Sequence, residues 1–307
     1  MRLMACCVLA VMCGTAWAQP TPDAMEPCNL PPQPPAAEST WNANLWSGGV
    51  VPYEIDGEVT LTNRNRLRAA MDELEQAANI HFIPRTGQPN YIYVQNGGGN
   101  NSFVGMVGGS QTINLVSWSS HYVICHELMH ALGMWHEQQR ADRELYVTIN
   151  TNNIQQGYAH NFSIRAGSTV VGPFDFESVM LYHPCSFSVC CPAGSVCNCA
   201  VSCASIQAKP EYAHLQGVMG NRSYLSDLDK AGLVARYGPQ VLPCGTADFD
   251  NDGDVGTDAD IEAFFVCLSG NCCPTCFERG PDFDGDGDVG TDADIEAFFR
   301  VLAGGSC

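Results

Sequence analysis

His126-Glu127-Leu128-Met129-His130-Ala131-Leu132-Gly133-Met134-Trp135-His136-Glu137 is the stretch from which the rest of the chain is read. On an α-helix His126 and His130 lie four residues apart, about 400° of rotation, so both imidazoles leave one face and can hold one ion. Glu127 sits one step round, where its carboxylate can take a proton from a metal-bound water. A continuing helix would carry His136 away from the ion, so the helix must end first. Gly133 suits the left-handed turn that ends it. Three histidine ligands, a glycine and a glutamate base at this spacing make up the longer zinc-peptidase signature.

A second element lies downstream. Ser178-Val179-Met180-Leu181-Tyr182 looks like the methionine turn that passes beneath the zinc in metzincins. Taken alone, Met180 reads as a core methionine and Tyr182 as a strand aromatic.

With both elements in hand, residues from about Leu45 to Gly238 resemble the astacin family. The resemblance also rests on Leu45-Trp46-Ser47-Gly48-Gly49-Val50-Val51-Pro52-Tyr53, on Ile80-His81-Phe82-Ile83-Pro84-Arg85-Thr86, and on Glu137 directly after the third histidine. Arg140-Ala141-Asp142-Arg143 and Tyr146-Val147-Thr148-Ile149-Asn150 extend it. It implies an α+β fold: a two-lobed metzincin catalytic domain with a mixed sheet and an active-site helix. It also implies one zinc on His126, His130 and His136, Glu127 as base, and Tyr182 as an extra ligand that swings away to stabilise the oxyanion. Met180 and Gly133 then have structural roles, and Glu137 helps seat the mature N-terminus. Asn79 and Asn101 stand where the family usually has disulfide cysteines, Leu181 replaces a common histidine, and no aspartate-bearing propeptide motif is visible.

Composition sets the compartment. Arg2, the apolar run Leu3 to Val11 and Ala16-Trp17-Ala18 form an export signal over residues 1–18, too short for a membrane anchor. The mature protein is therefore expected to be secreted, extracellular or periplasmic. Of 17 cysteines, Cys6, Cys7 and Cys13 fall in that signal, and the even remainder predicts disulfides in an oxidising compartment. Six lie between Cys185 and Cys203 and six between Cys244 and Cys307; pairing within each block is the economical reading, with a metal cluster the rival for the first. Cys28, preceded by Pro27, reads as a disulfide partner or as a thiolate cap on the zinc of the kind matrixins use. The net charge of −19 is uneven: residues 244–307 hold 15 acidic side chains against Arg279 and Arg300. Nucleic acid and anionic membranes are excluded as partners by that balance.

Residues 19–40, rich in Pro and Ala, read as a pro-segment or linker. From 41 to 238 the chain reads as the catalytic domain. Strands are predicted at Val50–Ile55, 80–84, 91–95, 102–107 and 111–116. A helix capped by Thr62 or Asn63 runs to about Ala78, and one capped by Ser226 runs to Tyr237. Gln111 to Ser117 is the expected edge strand for an extended substrate, and the Cys185–Cys203 insertion the expected rim over the cleft.

After a linker at 239–247, Asp248 to Phe265 recurs almost letter for letter as Asp282 to Phe299, 34 residues on. Aspartates at loop positions one, three and five, glycine at six and valine at eight form a calcium-loop pattern. Each helix that follows is expected to bury Ile261, Phe264 and Phe265, or their repeats, against its twin. The unit 248–307 resembles a type I dockerin, a small all-α paired calcium-loop module. Its expected ligands are Asp248, Asp250, Asp252, Asp254 and Asp260, then Asp282, Asp284, Asp286, Asp288 and Asp294, for two Ca²⁺. The twelfth loop position is Ala259 or Ala293, so Asp260 and Asp294 imply a loop one residue longer.

Together these readings predict a secreted zinc endopeptidase acting on protein or peptide substrates, with a cohesin-like partner for the tail. The rivals are an inactive binding protein that docks through the tail, and a zinc hydrolase of non-peptide substrates.

Overall fold

A computed structural model describes residues 41, 44–165, 169–240, 245–273, 276–277 and 280–305. The expected signal, pro-segment and Cys28 lie outside the described residues, as do Cys244 and Cys307. The chain divides into two compact units, 1–239 and 240–307. No described helix is long and apolar enough to cross a membrane.

The first unit opens with a five-stranded sheet in the order β2-β1-β3-β5-β4. Its strands are β1 (Val50–Ile55), β2 (His81–Pro84), β3 (Tyr91–Asn96), β4 (Asn101–Ser102) and β5 (Ser110–Leu115). Only β4 runs antiparallel, pairing Asn101 with Asn114 and Ser102 with Ile113. The helix α1 (Leu61–Ala77) starts two to three residues earlier than expected, because Thr60, and not Thr62 or Asn63, is the cap, its Oγ1 accepting the Asn63 N–H. It buries Leu67, Ala70, Met71 and Leu74, a single face at i, i+3, i+4 and i+7. Beneath the sheet lies α2 (His121–Ala131), buried throughout from Val123 onward.

Two expectations for the sheet need correction. The predicted strand 102–107 stops at Ser102, because the amides of Gly105 and Met106 leave the sheet to reach His130 O and Asn44 O. The expected edge at Gln111–Ser117 is an interior strand, flanked by β3 and β4. The antiparallel edge is β4.

A second apolar core, built around Phe162, Phe174, Phe176, Tyr182, Phe187 and Ile206, lies within the same unit. Its small sheet pairs β6 (Val147–Ile149) with β7 (Ile206–Ala208) and was not expected from sequence. Between these strands, all six cysteines of the first block pair among themselves: Cys185–Cys199, Cys190–Cys203 and Cys191–Cys197. No thiolate is left there for a metal cluster. The unit ends with α3 (Asp227–Tyr237), where Ser226 and Asp229 form a reciprocal capping box.

In the second unit α4 (Asp258–Leu268) and α5 (Asp292–Leu302) repeat one another. Phe249, Phe264, Phe283 and Phe298 are fully buried, and the Phe264 and Phe298 rings stack with centroids 4.1 Å apart. Phe265 and Phe299, expected inside, are 44% and 45% exposed. Neighbouring helical residues point about 100° apart, and a two-helix core covers only one of them. Cys267–Cys272 and Cys273–Cys276 close the segment after α4.

Candidate active site and metal centres

The helix α2 presents His126 and His130 from one face and ends just after them. Gly133, at φ 113°, donates to His130 O, and Met134 N–H reaches back to Met129 O. This positive-φ turn redirects the chain so that His136 returns to the other two histidines. Its Nε2 lies 3.2 Å from that of His130 and 3.3 Å from that of His126. A tetrahedral zinc with Zn–N bonds of about 2.0–2.1 Å spaces its nitrogens about 3.3–3.4 Å apart, so the donor set fits the ion.

The backbone sets two of the tautomers. Val179 O lies 2.7 Å from His126 Nδ1, and Met134 O lies 2.7 Å from His130 Nδ1. Carbonyls only accept, so each Nδ1 carries the proton and each Nε2 offers a lone pair. Burial, and then the positive charge of Arg222, push His126 well below the usual imidazole range. Burial takes His130 down to about 3 and His136 well below its usual value. Neutral imidazoles are the form a metal needs. Glu127 is fully buried, one residue round the helix from His126.

The methionine turn spans the two cores of the unit: Val179 and Met180 belong to the first, Leu181 and Tyr182 to the second. Met180 O accepts the Glu137 N–H at 2.9 Å, and Tyr182 N–H donates to Gln138 Oε1 at 3.2 Å. The Tyr182 ring lies 4.4 Å from that of His136, with Phe162 and Phe187 around it. Phe187 comes from the disulfide-stapled insertion, so the insertion reaches the site's inner wall.

Behind the turn sits the carboxylate of Asp229, the partner of Ser226 in the α3 capping box. Asp229 accepts Ser178 Oγ–H at 2.6 Å and Val179 N–H at 3.0 Å, and Val179 O in turn holds His126. Burial raises Asp229 to about 6. A cavity of about 20 Å³, room for about one water, is lined by Trp41, Met134, Glu137, Asp175, Asp229 and Gly232, among others. Glu137 Oε1 accepts from Arg140 Nη1 at 2.8 Å and Asp175 N–H at 2.9 Å. Burial pushes Glu137 up, against the pull of Arg140. The orienting carbonyls of Val179 and Met134 have no side-chain signature, whereas the Ser-x-x-Asp cap was a legible mark of Asp229.

In the tail, Asp248, Asp250 and Asp260 bring one oxygen each within 4.8 Å of one another, as do Asp282, Asp284 and Asp286. Asp252, Asp254, Asp288 and Asp294 stand outside these two groups. Desolvation, followed by the charges of Asp252, Asp260 and Asp248, raises Asp250; Asp284 is raised in the same way by its own neighbours.

A sequence model of the Astacin family (Peptidase family M12A) matches residues 38–238. Zinc metalloproteinase nas-14 of Caenorhabditis elegans is 39% identical over 157 residues, 48% of this chain and 31% of that protein. Low choriolytic enzyme of Oryzias latipes is 35% identical over 145 residues, 46% of this chain and 54% of that protein. The chain thus spans about half or less of the length of these curated relatives. Among solved structures, high choriolytic enzyme 1, a hatching enzyme zinc-protease from Oryzias latipes, aligns with a TM-score of 0.55 at 30% identity. That alignment covers 65% of this chain and 94% of the other.

Proposed function

We propose that this chain, which belongs to the astacin family of peptidases, is a secreted zinc endopeptidase that hydrolyses peptide bonds in protein substrates. The observation that carries the reading is the convergence of three neutral imidazoles at the spacing of zinc ligands. Zinc, when bound, supplies Lewis acidity and lowers the pKa of a bound water. Glu127, buried beside the ligand face, takes the proton of the attacking water and delivers it to the leaving amine. Tyr182, by family resemblance, offers its phenol to the oxyanion. The sheet edge at β4 is where an extended substrate would add as a further strand.

The cavity beside Glu137 suits an α-ammonium group. Three carboxylates, Glu137, Asp175 and Asp229, surround it against one guanidinium, Arg140, which supports Glu137 as the seat of a mature N-terminus. Residues 41–238 form the peptidase in this reading, following a signal at 1–18 and a pro-segment at 19–40. Residues 248–307 form a dockerin-like module that binds two Ca²⁺ and docks a cohesin-like partner. Raised aspartate pKa values in both loops support a cation there, since crowded carboxylates gain most from one.

The test is cleavage of a denatured protein, with zinc content measured alongside, for wild type and Glu127→Ala in excess calcium. Zinc retained with cleavage lost in the variant supports the reading. Cleavage by neither protein, or equally by both, refutes it.

A further inference from the structure

The active-site helix carries metal-binding side chains on a second face. His121 and Cys125 stand four residues apart on α2, the spacing of His126 and His130, and so share a face. Glu73, on α1, reaches that face with its Oε2 2.5 Å from His121 Nε2. One nitrogen, one sulfur and one oxygen from these three residues lie within 4.8 Å of one another. Cys125 is fully buried and free, whereas every other described cysteine is in a disulfide. The Glu73 and His121 side chains are 28% and 34% exposed, so both can shift to admit an ion. A cleft of about 630 Å³, lined by Asp72, Glu73, Gln76, Tyr122 and Lys230, opens to solvent beside Glu73.

We infer that Glu73, His121 and Cys125 form a second divalent-metal site, of zinc type, on the side of the active-site helix that faces α1. Mixed N, O and S donors suit zinc, and three protein ligands leave one position for solvent. Uptake replaces the thiol proton, so each ion bound releases one proton to solvent. The ion ties α1 to α2, which carry Glu73 and the His121–Cys125 pair respectively. A clamp there holds the helix that carries His126 and His130 without touching the catalytic ligands.

Cobalt(II) and cadmium(II) test the site, because a thiolate ligand gives a near-ultraviolet charge-transfer band that a three-histidine centre cannot give. The full-length protein, with excess calcium, is titrated with each ion and its metal content measured. The expected result is a thiolate band that saturates at one ion per chain. Cys125→Ser abolishes the band and lowers the bound metal by one equivalent. His121→Gln and Glu73→Gln, both on part-exposed side chains, keep the band but raise the half-saturating concentration by at least the ~10-fold that losing a supporting contact causes. No band in wild type, or a band that survives Cys125→Ser, overturns the inference. Should Cys125→Ser fail to fold, unchanged half-saturation in both other variants overturns it equally.

Discussion

Asp229→Asn should abolish the pH dependence of stability that Asp229 imposes on the peptidase unit. Asp229 is fully buried and its pKa is raised from 3.8 to about 6, chiefly by burial, with the Ser178 hydroxyl pulling the other way. The folded state thus holds its proton more tightly than the unfolded chain does. The stabilisation from the protonated form is complete below pH 3.8 and is lost as pH rises through 6. About two pKa units at about 1.4 kcal/mol each make the loss about 3 kcal/mol. An asparagine lacks this term yet keeps the contacts: its oxygen accepts Val179 and Ser226 N–H, and its amide donates to Ser178 Oγ. Urea unfolding of both proteins at intervals from pH 4 to 8 is the assay, since terms common to both cancel in the difference. The variant should gain about 2.5 kcal/mol on wild type across that span, since a small part of the term is already lost at pH 4. A flat difference, or one that favours wild type as pH rises, refutes the assignment of a desolvated carboxyl there.

Glu127→Gln should lower kcat by about 10²–10⁴-fold with zinc content unchanged, because it removes a general base and no ligand; atomic absorption beside a peptide-cleavage assay checks both. Glu137→Ala should destabilise the peptidase unit by about 3 kcal/mol in urea. That is the low end for breaking a buried pair, because Arg140 keeps its two contacts to Asp142. Calcium chelation should loosen the tail and spare zinc-dependent cleavage, and deleting residues 244–307 should remove the calcium response; circular dichroism and the cleavage assay read the two separately.

What was legible in the sequence was whatever carries a side-chain period or a strict spacing. The Ser226 cap and the His126–His130–His136 spacing each constrain the backbone locally, and each is found where the pattern puts it. The small sheet β6–β7 was not legible, because three-residue strands show no period and these two lie on either side of the stapled insertion. Strand order was equally hidden. Whether β5 or β4 forms the edge depends on how β3 pairs, and alternation within a strand says nothing about its neighbours. The carbonyls that orient His126 and His130 lie beyond any side-chain pattern, since every residue has one.

The tail poses the opposite problem, a loop whose pattern is plain but whose closing ligand is not. Ala259 and Ala293, at the twelfth positions, offer no side-chain oxygen and are exposed. One residue later Asp260 is buried: its Oδ2 accepts the Thr257 N–H at 2.7 Å, and its Oδ1 accepts the Phe249 N–H at 2.6 Å. Asp294 does the same for Thr291 and Phe283. The thirteenth residue therefore caps α4 and holds the loop's second residue while standing with Asp248 and Asp250. A loop lengthened by one residue closes on the capping carboxylate. Asp260→Ala should then weaken calcium binding at the first loop and also cost about 1 kcal/mol of tail stability in chelator, the worth of a helix cap. Asp258→Ala, at an exposed neighbouring carboxylate, should do neither. Calorimetric titration with calcium and urea unfolding in chelator separate the two effects. Equal loss of calcium binding in both variants would show that the acidity of the segment, and not the position of Asp260, holds the ion.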